Sequence, residues 1–285
     1  MSIHICTYSI PKDGNQASEN QDASWPRCHP RKKSKPLTYK DKEIPKSGYI
    51  FAVSDGASEG LFSGLWARTL ASRATPRTEY KDNNSQGLNL DILQQWVSMS
   101  LNVWGRFMKR RKHTRMKLGV PLTRLPSWIE EPALEDGGFA TLAALQIKPK
   151  GIWSAFAVGD SCIFHVRSNK LLLSFPIKDP IEFENRPYLL GSVCGIDSET
   201  KIRLRFSPPL KKKNRWKSGD RFYIMSDAIA CCFLERCKDG QKPWIELDSL
   251  GSTEADTKFR ELVKLWKNEY KLRNDDFTLV SIIVK

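Results

Sequence analysis

With 285 residues, 40% of them hydrophobic and 27% charged, the chain carries enough apolar content to bury a core, which excludes disorder as the default state and fits one large domain. Lys and Arg exceed Asp and Glu to give a net charge of +14, so the surface favours anionic or phosphorylated partners over basic ones. Seven cysteines form no framework, no apolar run reaches the roughly 18 residues of a bilayer span, and MSIHICTYSIPKDG lacks the charged head and apolar middle of a leader; neither a disulfide scaffold, a membrane protein nor an exported chain is expected, and the chain is placed in the cytoplasm.

In chain order, strand-like segments rich in β-branched and aromatic residues stand at 3–10 (IHICTYSI), 49–54 (YIFAVS), 140–147, 153–159, 162–167, 170–175, 201–207, 221–226 and 277–284. Two stretches carry helical spacing instead. Over 90–110, Leu93, Trp96, Val97, Leu101, Trp104 and Met108 recur at steps of three and four, with Asp91 near the start and basic residues at the end to suit the helix dipole. Over 254–271, Phe259, Leu262, Val263, Trp266 and Tyr270 repeat the pattern. Many strands with long one-faced helices predict helices laid over stacked sheets.

No linker or repeat divides the chain, so 1–285 reads as a single domain with basic loop insertions at about 24–47, 109–137 and 176–200. The basic runs RKKSK (31–35), KRRKHTRMK (109–117) and KKKNRWK (211–217) read as solvated loops or helix ends. No zinc finger, aromatic RNA platform or recognition-helix pattern accompanies them, so nucleic acid is not the expected partner despite the charge.

The recurring feature is an acid at the end of an apolar climb. YIFAVSDGASEG puts Asp55 there, AFAVGDS puts Asp160, RFYIMSDA puts Asp227, NQDAS puts Asp22 in a small turn past the first strand, and RNDDFTLV puts Asp275 and Asp276 ahead of the last. Singly, each is explained as a turn residue that caps nearby amides. Together, acids at the ends of strands that pack face to face would converge, and crowded carboxylates repel unless a cation neutralises them. A hard divalent ion with oxygen ligands suits the set, since none of the histidines, at 4, 29, 113 and 165, stands beside these acids. Gly56, directly after Asp55, would let a carbonyl or a ligand approach closely.

Taken in order, NQDAS, FAVSDGAS, GGFATLAAL, FAVGDSCIFHVR, YIMSDAI and RNDDFTLVSIIV resemble the successive motifs of the type 2C metal-dependent Ser/Thr protein phosphatases, over about residues 3–284. The resemblance implies an α+β, four-layer αββα sandwich, with two antiparallel β-sheets packed face to face and helices on both outer sides. It also implies hydrolysis of phosphoserine and phosphothreonine by a water activated by two manganese or magnesium ions. Carried over position by position, Asp55 would bridge the two ions, with the Gly56 carbonyl as a further ligand. Asp227 and Asp275 would complete the first, and Asp22 would hold the second directly or through water. Asp160 would join Asp227 at a third, weaker ion. Asp22, Asp55, Asp227 and Asp275 form the implied catalytic set; the implied partners are a phosphorylated protein substrate and a cognate Ser/Thr kinase, in signalling.

The motifs also depart from the family pattern. Gln21 stands where an acid is usual, Ala228 where glycine is usual and Asp276 where Asn is common. The phosphate-holding arginine that often precedes the first motif is missing near Ala17 and Ser18; the segment 109–117 or Arg186 in ENRPYLL is its candidate replacement. The loop 176–200 falls where the family carries a variable flap. These departures keep a second reading open, a phosphatase-like regulatory module that binds a phosphorylated partner with little or no hydrolysis.

Overall fold

The computed structural model describes residues 1–27, 37–57, 60–74, 87–118, 135–183, 187–193, 205–206, 215–250, 255–270 and 272–285. Strand β1 (Ser2–Ile10) shows how the layers arise: Ile3 and Ile5 fall on one face and Cys6, Tyr8 and Ile10 on the other, the period of two that a strand imposes. It belongs to a six-stranded sheet in the order β3 (Leu37–Glu43), β1, β13 (Phe277–Val284), β12 (Arg221–Met225), β8 (Cys162–Arg167) and β9 (Lys170–Phe175). The second sheet runs β11 (Arg205–Phe206), β7 (Trp153–Val158), β6 (Leu142–Ile147), β4 (Tyr49–Ser54) and β2 (Ala23–Trp25). A short pair, β5 (Phe139–Ala140) with β10 (Leu190–Gly191), stands beside them. Neighbouring strands pair antiparallel.

Between the two sheets lie Ile3, Ile5, Phe51, Val53, Leu145 and Phe222 with their neighbours. The outer face of the six-stranded sheet, through Tyr8, Phe164 and Tyr223, is covered by α3 (Asp227–Lys238), α4 (Pro243–Ser249) and α5 (Ala255–Tyr270). The outer face of the five-stranded sheet, through Ala52, Ala144 and Phe156, is covered by α1 (Ser63–Ala71) and α2 (Leu90–Leu118). The order helix, sheet, sheet, helix is the αββα sandwich. Each buried tryptophan on the α1/α2 side needs a partner for its N–H. Trp66 Nε1 donates to the Leu190 carbonyl and Trp96 Nε1 to that of Leu70, both at 2.8 Å. Among the described residues, no helix is long and apolar enough to cross a membrane.

The structure differs from the sequence expectation in several elements. The span 24–47 is not one long loop, because β3 lies within it and pairs with β1 at the sheet edge. LTYKDKE is polar, as suits an edge strand, and so carries no apolar signal. Helix α2 continues past residue 110 to Leu118, since Arg and Lys are good helix formers; the expected insertion 109–137 is helical in its first part, and 119–134 lie outside the described residues. The span 176–200 contains a 3-10 turn at Pro180–Glu182 and strand β10. The expected strand at 140–147 breaks at Thr141. Of 201–207, residues 205–206 form β11 and the rest lie outside the described residues, as do 31–35 and 211–214.

Asp220 pins the start of β12. Its fully buried carboxylate accepts from His165 Nε2 at 2.9 Å, Arg167 Nε at 2.7 Å, Arg167 Nη2 at 2.6 Å and the Lys217 amide at 2.8 Å. Burial opposes the charge, yet the hydrogen bonds from Arg167 and His165 outweigh it and hold the carboxyl at about 2. Its contribution to stability is therefore present above the ordinary 3.8 and fades as pH falls through about 2. Asp220→Ala strands the Arg167 guanidinium and the buried His165 ring nitrogen and is expected to cost about 3 kcal/mol in urea unfolding at neutral pH. An unchanged unfolding midpoint would contradict this.

Candidate active site

Strand register carries the acids to one end of the sandwich. Ser54, the last residue of β4, pairs with Ala23, the first of β2, so Asp55 and Asp22 leave the sheet side by side. Leu142, at the start of β6, pairs with Val158 at the end of β7, which places the following turn and Asp160 at the same edge. In the facing sheet Met225, the last residue of β12, pairs with Leu279 near the start of β13 and with Cys162 at the start of β8. Asp227, Asp275 and Asp276 therefore emerge at this end too. Asp160 sits in the connection from β7 to β8, where the chain passes from one sheet to the other.

Hydrogen bonds through the backbone hold these residues in place. The Asp55 amide donates to Thr141 Oγ1 at 3.0 Å, and the Asp55 carbonyl accepts from the Thr141 amide at 2.8 Å. Thr141 Oγ1 lies 2.7 Å from Ser161 Oγ, and Ser54 Oγ donates to the Thr141 carbonyl at 2.6 Å. The break between β5 and β6 is thus the place where Thr141 turns from the ladder to grip Asp55. Across the site, Ser226 Oγ accepts from the Thr278 amide at 3.0 Å, fixing the end of β12 just before Asp227. Asp227 opens α3 and its Oδ1 accepts from the Ala228 amide at 2.6 Å, while Asp275 Oδ1 accepts from the Asp276 amide at 2.9 Å.

Gly56 brings three segments together. A Cβ at this position would stand 2.7 Å from the Ser63 carbonyl carbon, 2.8 Å from its oxygen and 2.9 Å from the Gln21 oxygen, all backbone atoms. The start of α1 and the turn before Asp22 can close on Asp55 because that side chain is absent. Gly56→Ala is expected to lower stability by about 2 kcal/mol, as overpacking against backbone that cannot swing away. Thermal unfolding of the variant measures this, and an unshifted midpoint would contradict the packing argument.

The electrostatics are those of crowded, buried acids. Asp22 and Asp160 are 6% and 4% exposed, and neither oxygen of Asp22 nor Oδ1 of Asp160 has a hydrogen-bond partner. Burial, with the charge of Asp276 next, pushes the Asp22 carboxyl up to about 8; burial, with Asp227 next, does the same for Asp160. Burial and then the charges on Asp22, Asp227 and Asp160 drive Asp55 well above its ordinary value, and burial followed by Asp275 raises Asp227. Each acid thus sits within electrostatic reach of others from separate elements. Among the described residues no group of three or more His, Cys, Asp or Glu side chains is in place to hold a metal ion, so the acids converge without forming a closed cage. Arg186 lies outside the described residues, as do the side chains of 111–117. Thr141 and Ser226 are the site residues that strand patterning passed over. The polar break inside GGFATLAAL was the available signal for the first.

No family model and no curated protein matches the chain. Solved structures do. The photosystem II phosphatase PBCP superposes with a TM-score of 0.57 at 16% identity, covering 99% of each chain. The fold is that of the type 2C Ser/Thr protein phosphatases. The Mycobacterium tuberculosis serine/threonine phosphatase PstP/Ppp matches with a TM-score of 0.54 at 14% identity, over 100% of both chains. The PstP catalytic domain in complex with two manganese ions matches with a TM-score of 0.52 at 14% identity, over 100% of this chain and 99% of that one. The type 2C fold accounts for the two sheets whose ends carry the acids, and the likeness is one of fold.

Proposed function

We propose that this chain is a metal-dependent phosphatase that releases phosphate from phosphoserine and phosphothreonine in proteins, working as a single domain over 1–285. The observation that carries the reading is the convergence of buried acids, Asp22 and Asp160 with oxygens that no donor satisfies, at one end of a type 2C fold. An all-oxygen donor set with repelling charges fits a hard divalent ion such as manganese or magnesium. Asp55, with the Gly56 carbonyl, would hold two such ions, Asp227 and Asp275 one of them, and Asp22 the other; Asp160 with Asp227 would hold a weaker third. Bound there, divalent ions supply an acidified water as nucleophile and positive charge for the phosphate oxygens.

The chain's own residues supply placement. Thr141 fixes the Asp55 backbone through two hydrogen bonds, and Ser226 fixes the approach to Asp227. Asp22 and Asp160 are buried, which keeps the field of these charges strong. A phosphorylated protein substrate and a cognate Ser/Thr kinase, in cytoplasmic signalling, complete the reading.

The test is phosphate release by the purified protein from an aryl phosphate and a phosphoserine peptide, with manganese and with excess chelator. Turnover that requires the ion is expected. Undiminished release in chelator would overturn the proposal, and manganese binding without turnover on either substrate would replace it with the regulatory-module reading.

A further inference from the structure

Asp276 is not among the proposed ligands, yet two backbone amides from a distant part of the chain close on it. Its Oδ1 accepts from the Lys12 amide at 2.8 Å and its Oδ2 from the Gln21 amide at 2.6 Å. The side chain is 4% exposed, so these bonds form away from competing water. Lys12 and Gln21 bracket the link from the end of β1 in one sheet to the start of β2 in the other. The same segment grips the link a second time: Asn274 Oδ1 accepts from the Asp13 amide at 2.8 Å, and Asn274 Nδ2 donates to the Asp13 carbonyl at 3.1 Å. The far end of the link is Gln21, and the next residue is Asp22, whose two carboxylate oxygens have no partner.

We propose that Asp276 is a positioning residue for the cation site: by accepting from both ends of the 12–21 link it sets the direction of Asp22 and hence the affinity of the ion that Asp22 holds. The inference rests on the metal-dependent reading above. The acid is needed rather than its amide because two N–H groups face it. A carboxylate offers an acceptor to each, whereas Asn offers one and turns its own Nδ2 hydrogens on the other. Both bonds are charge-assisted, which makes them shorter and stronger than amide bonds in the same place.

Calorimetric titration of manganese into wild type, Asp276→Asn and Asp276→Ala, with unfolding midpoints measured with and without the ion, tests this. Both variants are expected to bind manganese about tenfold or more weakly, the usual loss when a residue that orients a ligand is removed. Their manganese-induced gain in midpoint should shrink accordingly. A residue that merely holds the fold would lower the metal-free midpoint and leave the affinity unchanged, and that result overturns the inference alone. Wild type that binds no manganese overturns the metal reading and this inference with it. Hydrogen exchange of the loaded wild type covers the case in which the variants do not fold: slow exchange at the Lys12 and Gln21 amides is expected, and fast exchange at both would overturn the clamp.

Discussion

Asp55→Asn is expected to cut divalent-dependent phosphate release on the order of a thousandfold, equivalent to about 4 kcal/mol of barrier. The backbone of residue 55 is held by Thr141 through its amide and its carbonyl, neither of which involves the side chain, so the variant should fold. Asn keeps the shape and loses the charge. In the metal-free state that loss removes repulsion from Asp22, Asp227 and Asp160, so the variant should be more stable than wild type when no ion is present. Lower turnover with higher metal-free stability is the signature of a site whose charges are kept for function. Steady-state kinetics and chelated thermal unfolding on one preparation read both signs. Wild-type turnover in the variant would remove Asp55 from the site, and a lower metal-free midpoint would show that its carboxylate is a structural acceptor.

Much of this fold is legible where a single residue pattern decides the outcome. β1 and β13 alternate or run apolar because both faces are covered, by the other sheet and by helices, and that covering follows from the strands' own composition. Helices α2 and α5 declare themselves by one-faced stripes ending in Met108 and Tyr270. β3 is silent because an edge strand with LTYKDKE needs no apolar face, and α3 is silent because DAIACCFLERCK packs apolar residues around most of its girth and shows no clean stripe. The acids of the site follow the same division. Their positions at strand ends are visible in the sequence, since an Asp after VS, VG or MS interrupts an apolar climb. Their partners are not, since Thr141 finds Asp55 and Asp276 finds Lys12 and Gln21 only through register across paired strands. A hydrogen bond between residues 264 positions apart leaves no local trace.

Without a divalent ion the protein is expected to be less stable at about pH 8 than at about pH 5, opposite to the trend that Asp220 sets at lower pH. Asp22 and Asp160 are raised from 3.8 to about 8 in the folded state, so folding takes up protons. A group raised in this way contributes its full stability below its unfolded value and loses it as pH rises through the folded one. For a single group, a rise from 3.8 to about 8 is worth on the order of 6 kcal/mol over the whole span between the two values. The acids share one neighbourhood, so their contributions are one coupled titration and do not sum. Asp220 runs the other way, depressed to about 2, so its contribution is lost only in stronger acid, and the metal-free optimum should fall between the two limbs. Manganese reverses the upper limb. It binds the ionised carboxylates, so the stabilisation it confers should grow from about pH 5 to about pH 8, with protons released on binding at the lower pH. Urea unfolding at the two pH values, with chelator and with manganese, measures all four corners of this cycle. Metal-free protein that is equally stable at both would show that the acids are neutralised by groups of the chain itself, and a manganese effect independent of pH would place the ion somewhere other than on Asp22 and Asp160.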